Sequence, residues 1–255
     1  MNSYILGVKL YTTNYSDAAS KIVAWAVAGE SRRVYAANVH MLMEAYDSRE
    51  FCDLVNSADL VTPDGLPLVW ALRNKGYHDQ QRVYGPTLML ELLDVAAAKG
   101  IKVGFIGSTK EVLSKLIKRM EKNFPDLVVS ASIAPPFRSL NKEEDKQIIE
   151  QIQKSGVRIL FVGLGCPKQE YWIASHYNKV QAVMIGVGAA FAFHAGVVHQ
   201  APEWIQNMGL EWLFRLSQEP KRLWKRYIYT NPRFVYLLSR ELVKEKYGKR
   251  GNPIC

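Results

Sequence analysis

Cysteine is scarce in this 255-residue chain: Cys52, Cys166 and Cys255 are the only three, at spacings that suggest neither a bonded pair nor a metal-ligand set. A reducing compartment fits that usage. Cys255 is the last residue rather than the fourth from the end, so prenylation is not implied. No D-x-D pair is available to hold a divalent ion on a diphosphate, and no P-loop of the G-x-x-x-x-G-K type occurs. The start, M-N-S-Y-I-L-G-V-K-L, lacks the basic opening and long apolar stretch of a signal peptide. No charge occurs between Lys179 and Glu203, yet that interval contains Gln181, Gly186, Gly188, His194, Gly196, His199 and Gln200. It reads as a strand and a functional loop rather than a membrane-spanning helix. With 48% hydrophobic and 22% charged residues, disorder is not supported either.

Charge, by contrast, is plentiful and uneven. From Arg215 onward there are eleven basic residues against three acids, which accounts for eight of the nine net positive charges. The first 214 residues are nearly neutral.

Those residues alternate apolar, strand-like runs with amphipathic ones. The pattern predicts strands near 4–10, 33–37, 59–63, 102–107, 127–133, 158–163 and 182–188. It predicts helices near 16–29, 39–55, 66–74, 86–99, 109–123, 141–154 and 168–177. Such alternation implies an α/β fold with a mostly parallel sheet covered by helices on both faces. After Pro202 the pattern changes to helix upon helix. We therefore expect residues 1–205 to form the α/β catalytic core and residues 206–255 a basic helical appendage. Within 219–229, Leu223, Trp224, Tyr227 and Ile228 fall on one side of a helical wheel, and Lys221, Arg222, Lys225 and Arg226 on the other. Asn231-Pro232 then resembles a cap and first-turn proline opening a last helix that carries Phe234, Val235, Leu238 and Leu242. Cations opposite aromatics suit the plane of an anionic membrane; docking of the apolar face on its own domain is the alternative, and both can hold.

Several segments could carry chemistry. Asp64, in D-L-V-T-P-D-G just past a strand, could accept a proton from a substrate hydroxyl or merely stabilise a turn. Asn38 could hydrogen-bond a sugar hydroxyl or cap the helix that follows. Arg82, in Q-R-V-Y-G-P, precedes a helix opened by Gly85-Pro86 and could share an anion with it, or could be a solvated loop arginine. Gln169 and Glu170 open a helix after V-G-L-G-C-P-K, and Glu170 there could simply complement the dipole. Gly163-Leu-Gly165 and Gly186-Val-Gly188 are each half of a dinucleotide fingerprint that Lys168 and Phe191 leave incomplete, which disfavours an oxidoreductase. Should a nucleotide diphosphate bind, its charge must be met by arginine, lysine and backbone N–H groups. The turns at Gly107-Ser108, Gly163, Gly165, Gly186 and Gly188 are the candidates. His194 and His199 have no partner at metal-ligand spacing and read as polar loop residues.

The segments N-V-H-M-L-M-E-A, A-D-L-V-T-P-D-G, R-V-Y-G-P, G-F-I-G-S, V-G-L-G-C-P-K-Q-E-Y-W, G-V-G-A-A-F-A-F-H-A-G…A-P-E-W and W-L-F-R-L…E-P-K-R-L-W-K-R-Y together resemble the WecG/TagA/CpsF glycosyltransferases. The resemblance runs from about Tyr4 to Leu238 and implies a Rossmann-like α/β core with a basic C-terminal appendage. It implies inverting transfer of a sugar from a UDP-sugar donor to a polyprenyl-diphosphate-linked acceptor, in teichoic acid or exopolysaccharide synthesis. It also implies that no metal or other cofactor takes part. Asp64 matches the family's proposed general base, and Asn38, Arg82 and Gln169 match its substrate-contacting positions. Arg215 and Arg222 match the appendage arginines, with Lys225 at the next such position and Arg226 beside it. The implied location is the cytoplasmic face of the cell membrane, held peripherally through the appendage. A homo-oligomer that competes with docking of the tail is a further expectation. Three positions depart from the pattern: Ala36 replaces the threonine of teichoic-type members, Ala192 replaces an aspartate of many members, and Lys225 replaces an arginine. The first two leave a plain hexose as open as N-acetylmannosamine for the donor. A basic nucleic-acid-binding protein is the remote alternative; it would leave the glycine turns and Asp64 without a purpose.

Overall fold

The computed structural model describes residues 1–247. Cys255, and with it the pairing of the cysteines, lies outside the described residues, as do Lys249 and Arg250 of the basic tail. In chain order the elements are β1 Asn2–Ile5, β2 Val8–Tyr11, α1 Tyr15–Ala28, β3 Arg32–Ala37, α2 Val39–Asp47, α3 Arg49–Asn56, β4 Leu60–Pro63, α4 Leu66–Asn74 and α5 Gly85–Lys99. They continue as β5 Val103–Gly107, α6 Lys110–Asn123, β6 Val129–Ile133, α7 Lys142–Ser155, β7 Ile159–Gly163, α8 Lys168–Ser175, β8 Val183–Gly186, α9 Ala190–His194, α10 Glu203–Asn207, α11 Glu211–Gln218 and α12 Pro220–Lys246. Six strands form one sheet of order β4-β3-β8-β7-β5-β6, and β1-β2 form a separate two-stranded sheet. The pairs β3-β8, β8-β7, β7-β5 and β5-β6 are all parallel. The α/β class with a parallel sheet flanked by helices is thus as the sequence pattern implies. No helix among the described residues is long and apolar enough to cross a membrane.

The chain divides into two compact units. One comprises residues 15–36 and 85–198. Its strands are buried on both faces, as a sheet covered by helices requires: every residue of β5 is buried, as are Ile159 to Val162 of β7 and all of β8. Phe105 of β5 stacks on Phe161 of β7 with ring centroids 5.6 Å apart and meets Phe191 of α9 edge-on at 5.7 Å.

The other unit comprises residues 1–14, 37–84 and those from 199 onward. The single strand expected over 4–10 is instead a hairpin, because Leu6 (φ 48°) and Gly7 (φ 85°) turn the chain back through the left-handed region. The helix expected over 39–55 is two helices. Ser48 leaves helical geometry, closes α2 through its N–H to Glu44 O, and caps α3 by accepting from Phe51 N at 3.2 Å.

At the C-terminal end the structure corrects a boundary. Pro232 does not open a new helix; α12 runs through it from Pro220 to Lys246. Proline removes one N–H and destabilises a helix interior, but buried anchors lie on both sides of it. Leu223 and Phe234 are buried, and α12 packs on α2. Glu241 accepts from Leu6 N at 2.8 Å and from Lys75 Nζ at 2.7 Å. The wheel reading is also corrected in part: Leu223 faces inward, whereas Trp224, Ile228 and Tyr229 are exposed beside the cations.

Candidate active site

Asp64, Arg82 and Asn38 come together through backbone pairing. The N–H groups of Asp64 and Gly65 both donate to Ala37 O, at 2.9 and 3.1 Å, and Val83 N donates to Pro63 O at 3.0 Å. These bonds hold the P-D-G turn against the residue preceding Asn38, and the R-V-Y segment against the end of β4. Asn38 Oδ1 caps α2 by accepting from Met41 N at 3.2 Å. A side chain on Gly65 would sit 3.4 Å from Asn38 Cα, so the two turns are in contact.

The Asp64 side chain is 14% exposed and faces Arg82 Nη2 at 3.5 Å. Arg82 is itself bound on several sides. Its Nε donates to the Asp64 carbonyl, Nη1 to Gln206 Oε1 at 3.2 Å and Nη2 to Glu211 Oε2 at 2.6 Å. Its guanidinium also lies over the Tyr84 ring, 3.9 Å from the centroid. Tyr84 Oη donates to the other Glu211 oxygen at 2.9 Å. Burial on its own would lower the Arg82 pKa, but Asp64 and Glu211 outweigh it and hold the guanidinium above its ordinary value. Burial, reinforced by Glu211 and Asp64, pushes the Tyr84 hydroxyl well up and keeps it protonated as a donor. The anions held by Arg82 are therefore the protein's own.

Tyr84, Gln206 and Glu211 were not singled out by the sequence. Tyr84 carried a signal, since it alternates with Arg82 in R-V-Y. Glu211 lies 129 residues from Arg82, and no local pattern links them.

Arg215 follows Glu211 by one turn of α11. Arg215, Arg226 and Arg222 all act electrostatically on Tyr227, whose hydroxyl is nevertheless raised by burial. Lys225 instead lies over the Trp224 ring, 5.6 Å from its centroid. Arg215, Arg222 and Arg226 thus share one neighbour, Tyr227. Arg222 is exposed and pairs with Glu219.

In the other unit, the carboxyl ends of β5, β7 and β8 carry the glycine turns. Gly107 has φ 124°, and a Cβ there would meet the Gly163 backbone at 2.5 Å, so the first two turns touch. Ser108 follows in the left-handed region at φ 58°. Gln169 is buried between the second and third turns. Its Oε1 accepts from Gly165 N at 3.2 Å and from Gly188 N at 3.1 Å. Its Nε2 donates to Glu170 Oε1 at 2.8 Å, and a Cβ on Gly186 would meet that same nitrogen at 3.0 Å. Glu170 is fully buried and its second oxygen has no hydrogen-bond partner. Burial pushes its carboxyl up to about 7, against hydrogen bonds from Gln169, its own N–H and Cys166. The residue expected only to complement a dipole is therefore a buried support for Gln169.

Other chemistry-bearing side chains are structural. His176 lies between Asp145 (Nε2 to Oδ1 3.0 Å) and Ser175 (Nδ1 to Oγ 3.0 Å), in the order of a catalytic triad. Its Nδ1, however, lies 2.6 Å from Trp172 O, and Ser175 Oγ donates to the same carbonyl. A nitrogen donating to that carbonyl cannot take a proton from the serine. His194 Nε2 donates to Pro86 O at 2.9 Å, and His199 exchanges two backbone hydrogen bonds with the Gln218 amide.

The description "Glycosyl transferase WecG/TagA/CpsF family" matches residues 3–248 of the chain. Similar curated proteins bear the name N-acetylglucosaminyldiphosphoundecaprenol N-acetyl-beta-D-mannosaminyltransferase. The one from Bacillus spizizenii is 30% identical over 203 residues, covering 79% of this chain and 76% of its own. That of Bacillus subtilis is 27% identical over 214 residues, covering 84% and 81%. That of Staphylococcus aureus strain MW2 is 27% identical over 248 residues, covering 96% and 95%. The α/β fold and a match along nearly the whole sequence agree: the chain belongs to the WecG/TagA/CpsF family of glycosyltransferases.

Proposed function

We propose that this protein moves a sugar from a UDP-sugar to a polyprenyl-diphosphate-linked saccharide, with inversion at the anomeric carbon and no metal ion. The observation that carries the reading is Asp64, a little-exposed carboxylate at the end of β4 with the Arg82 guanidinium beside it. Asp64 accepts the proton of the acceptor hydroxyl as its oxygen attacks the anomeric carbon. The bond from that carbon to the UDP oxygen breaks on the opposite face, and the electron pair passes to the diphosphate. An α-linked donor then gives a β product. Arg215, Arg222, Lys225 and Arg226 stabilise the leaving diphosphate. Arg82 orients Asp64, and Asn38 offers its amide to a sugar hydroxyl.

Residues 1–205 act as the catalytic core and residues 206–255 as the appendage that brings the enzyme to its lipid-linked acceptor. Trp224, Ile228, Tyr229 and Tyr236 are exposed along that segment, among Lys221, Lys225 and Arg240. This combination suits peripheral binding at an anionic lipid surface. The names of the relatives favour N-acetylmannosamine as the donor sugar, whereas Ala36 and Ala192 leave a plain hexose open.

Incubation with UDP-N-acetylmannosamine and UDP-hexoses, each with a short polyprenyl-diphosphate acceptor, tests the reading by product mass. One UDP-sugar should add one sugar to the acceptor, and chelator should not reduce the yield. Loss of activity in chelator with recovery on adding manganese would contradict it.

A further inference from the structure

We infer that Glu211 of α11 is a positioning residue for the reaction: it draws the Arg82 guanidinium toward itself and so leaves Asp64 a stronger proton acceptor. The inference rests on the reading of Asp64 as general base. Glu211 holds Arg82 Nη2 at 2.6 Å, whereas Asp64 Oδ1 lies at 3.5 Å from the same nitrogen. The three side chains are only 14 to 17% exposed. Water therefore screens them weakly, and the difference between a direct hydrogen bond and a longer contact counts. Alone beside Arg82, Asp64 would be the guanidinium's sole carboxylate partner and would hold a proton poorly. With Glu211 present, one positive charge is shared between two carboxylates, and Glu211 adds direct repulsion.

Tyr84 fixes the arrangement from below, with its ring under Arg82 and its hydroxyl on Glu211; Gln206 of α10 takes a third donor of the guanidinium. From α11 and α12, Tyr227 feels the Glu211 charge together with those of Arg215, Arg226 and Arg222. Glu211 belongs to the segment assigned above to acceptor and membrane binding. That segment therefore also reaches the base, through one carboxylate.

The test compares full-length wild type, Glu211→Gln and Glu211→Asp. Glutamine keeps an acceptor for Tyr84 but removes the charge; aspartate keeps the charge. In protein labelled at the aspartate carboxyl carbons, the Asp64 resonance (identified by its absence in Asp64→Asn) should titrate at lower pH in Glu211→Gln than in wild type. The acid limb of the kcat profile should move the same way. At neutral pH kcat should fall by about tenfold, as expected for a weakened base, while KM for donor and acceptor stays within about twofold. Glu211→Asp should lie between the two on every measure. An unmoved Asp64 titration overturns the inference, and so does a kcat within about twofold of wild type. Retained turnover in Asp64→Asn would instead overturn the base reading, and the catalytic half of this inference with it. The two failures are distinguishable because the titration does not depend on turnover.

Discussion

Gln169 and Glu170 are neighbours in sequence with different tasks. The Gln169 amide oxygen joins two glycine turns, and the Glu170 carboxylate accepts from the nitrogen of the same amide, which fixes which way the amide points. That arrangement costs stability, since Glu170 is buried with one oxygen unpartnered and its carboxyl is raised to about 7. A raised folded pKa means the folded state binds the proton more tightly than the unfolded chain, whose glutamate titrates near 4.5. Stability from this group is therefore full below the unfolded value and is lost as pH rises through 7. Glu170→Gln removes the titration. Relative to wild type, the variant should gain about 3 kcal/mol of stability between pH 5 and pH 8, readable as a growing difference in urea midpoints. A pH-independent difference would refute the assignment. The sequence made Gln169 legible as a polar residue beside a glycine turn. It could not show depth, because a helix-opening Glu at the surface and one beneath a turn look alike in one dimension. Glu211 was hidden for a related reason: its partners Arg82 and Tyr84 are distant along the chain, and only tertiary packing joins them.

At the scale of elements, hydrophobic periodicity was a good guide where strands and helices are long and regular. The strands β3 to β8 and the helices α4 to α8 begin and end within a few residues of expectation, because their apolar spacing and caps agree. It failed where a single residue decides. Ser48 splits one amphipathic run because its hydroxyl serves the following helix better than helical geometry would. Pro232 looks like a start signal but lies inside α12, because tertiary anchoring outweighs a local penalty of about 3 kcal/mol. The nature of that anchoring can be tested. Arg233 makes a two-point ion pair with Asp47, but both side chains are about half exposed, and such pairs contribute at most about 1 kcal/mol. Phe234 is only 2% exposed, and truncating a buried phenylalanine costs about 3 to 5 kcal/mol. Phe234→Ala should therefore make α12 susceptible to limited proteolysis, while Arg233→Ala leaves the cleavage pattern near wild type. The reverse order would show that the ion pair holds the helix.

For the molecule as a whole, the most legible feature was the asymmetry of charge, which places nearly all net positive charge after residue 214. The proposed role at a lipid surface follows from that asymmetry and from the exposed aromatics of α12. Each cation near an anionic surface contributes about 1 kcal/mol. The double variant Lys221→Ala, Lys225→Ala should thus lose about 30-fold in affinity for phosphatidylserine vesicles, with little change for neutral ones. Equal binding to both vesicle types would contradict an electrostatic role. The division of the chain into two units was not legible, since each is assembled from segments far apart in sequence and periodicity reports only neighbours. The central claim, that Asp64 removes the proton from the acceptor hydroxyl, is tested most directly by Asp64→Asn, with UDP affinity and the rate of sugar transfer measured on the same preparation. The account predicts UDP binding within about twofold of wild type and turnover lower by about 100-fold or more. Turnover near that of wild type, with UDP bound normally, would contradict it.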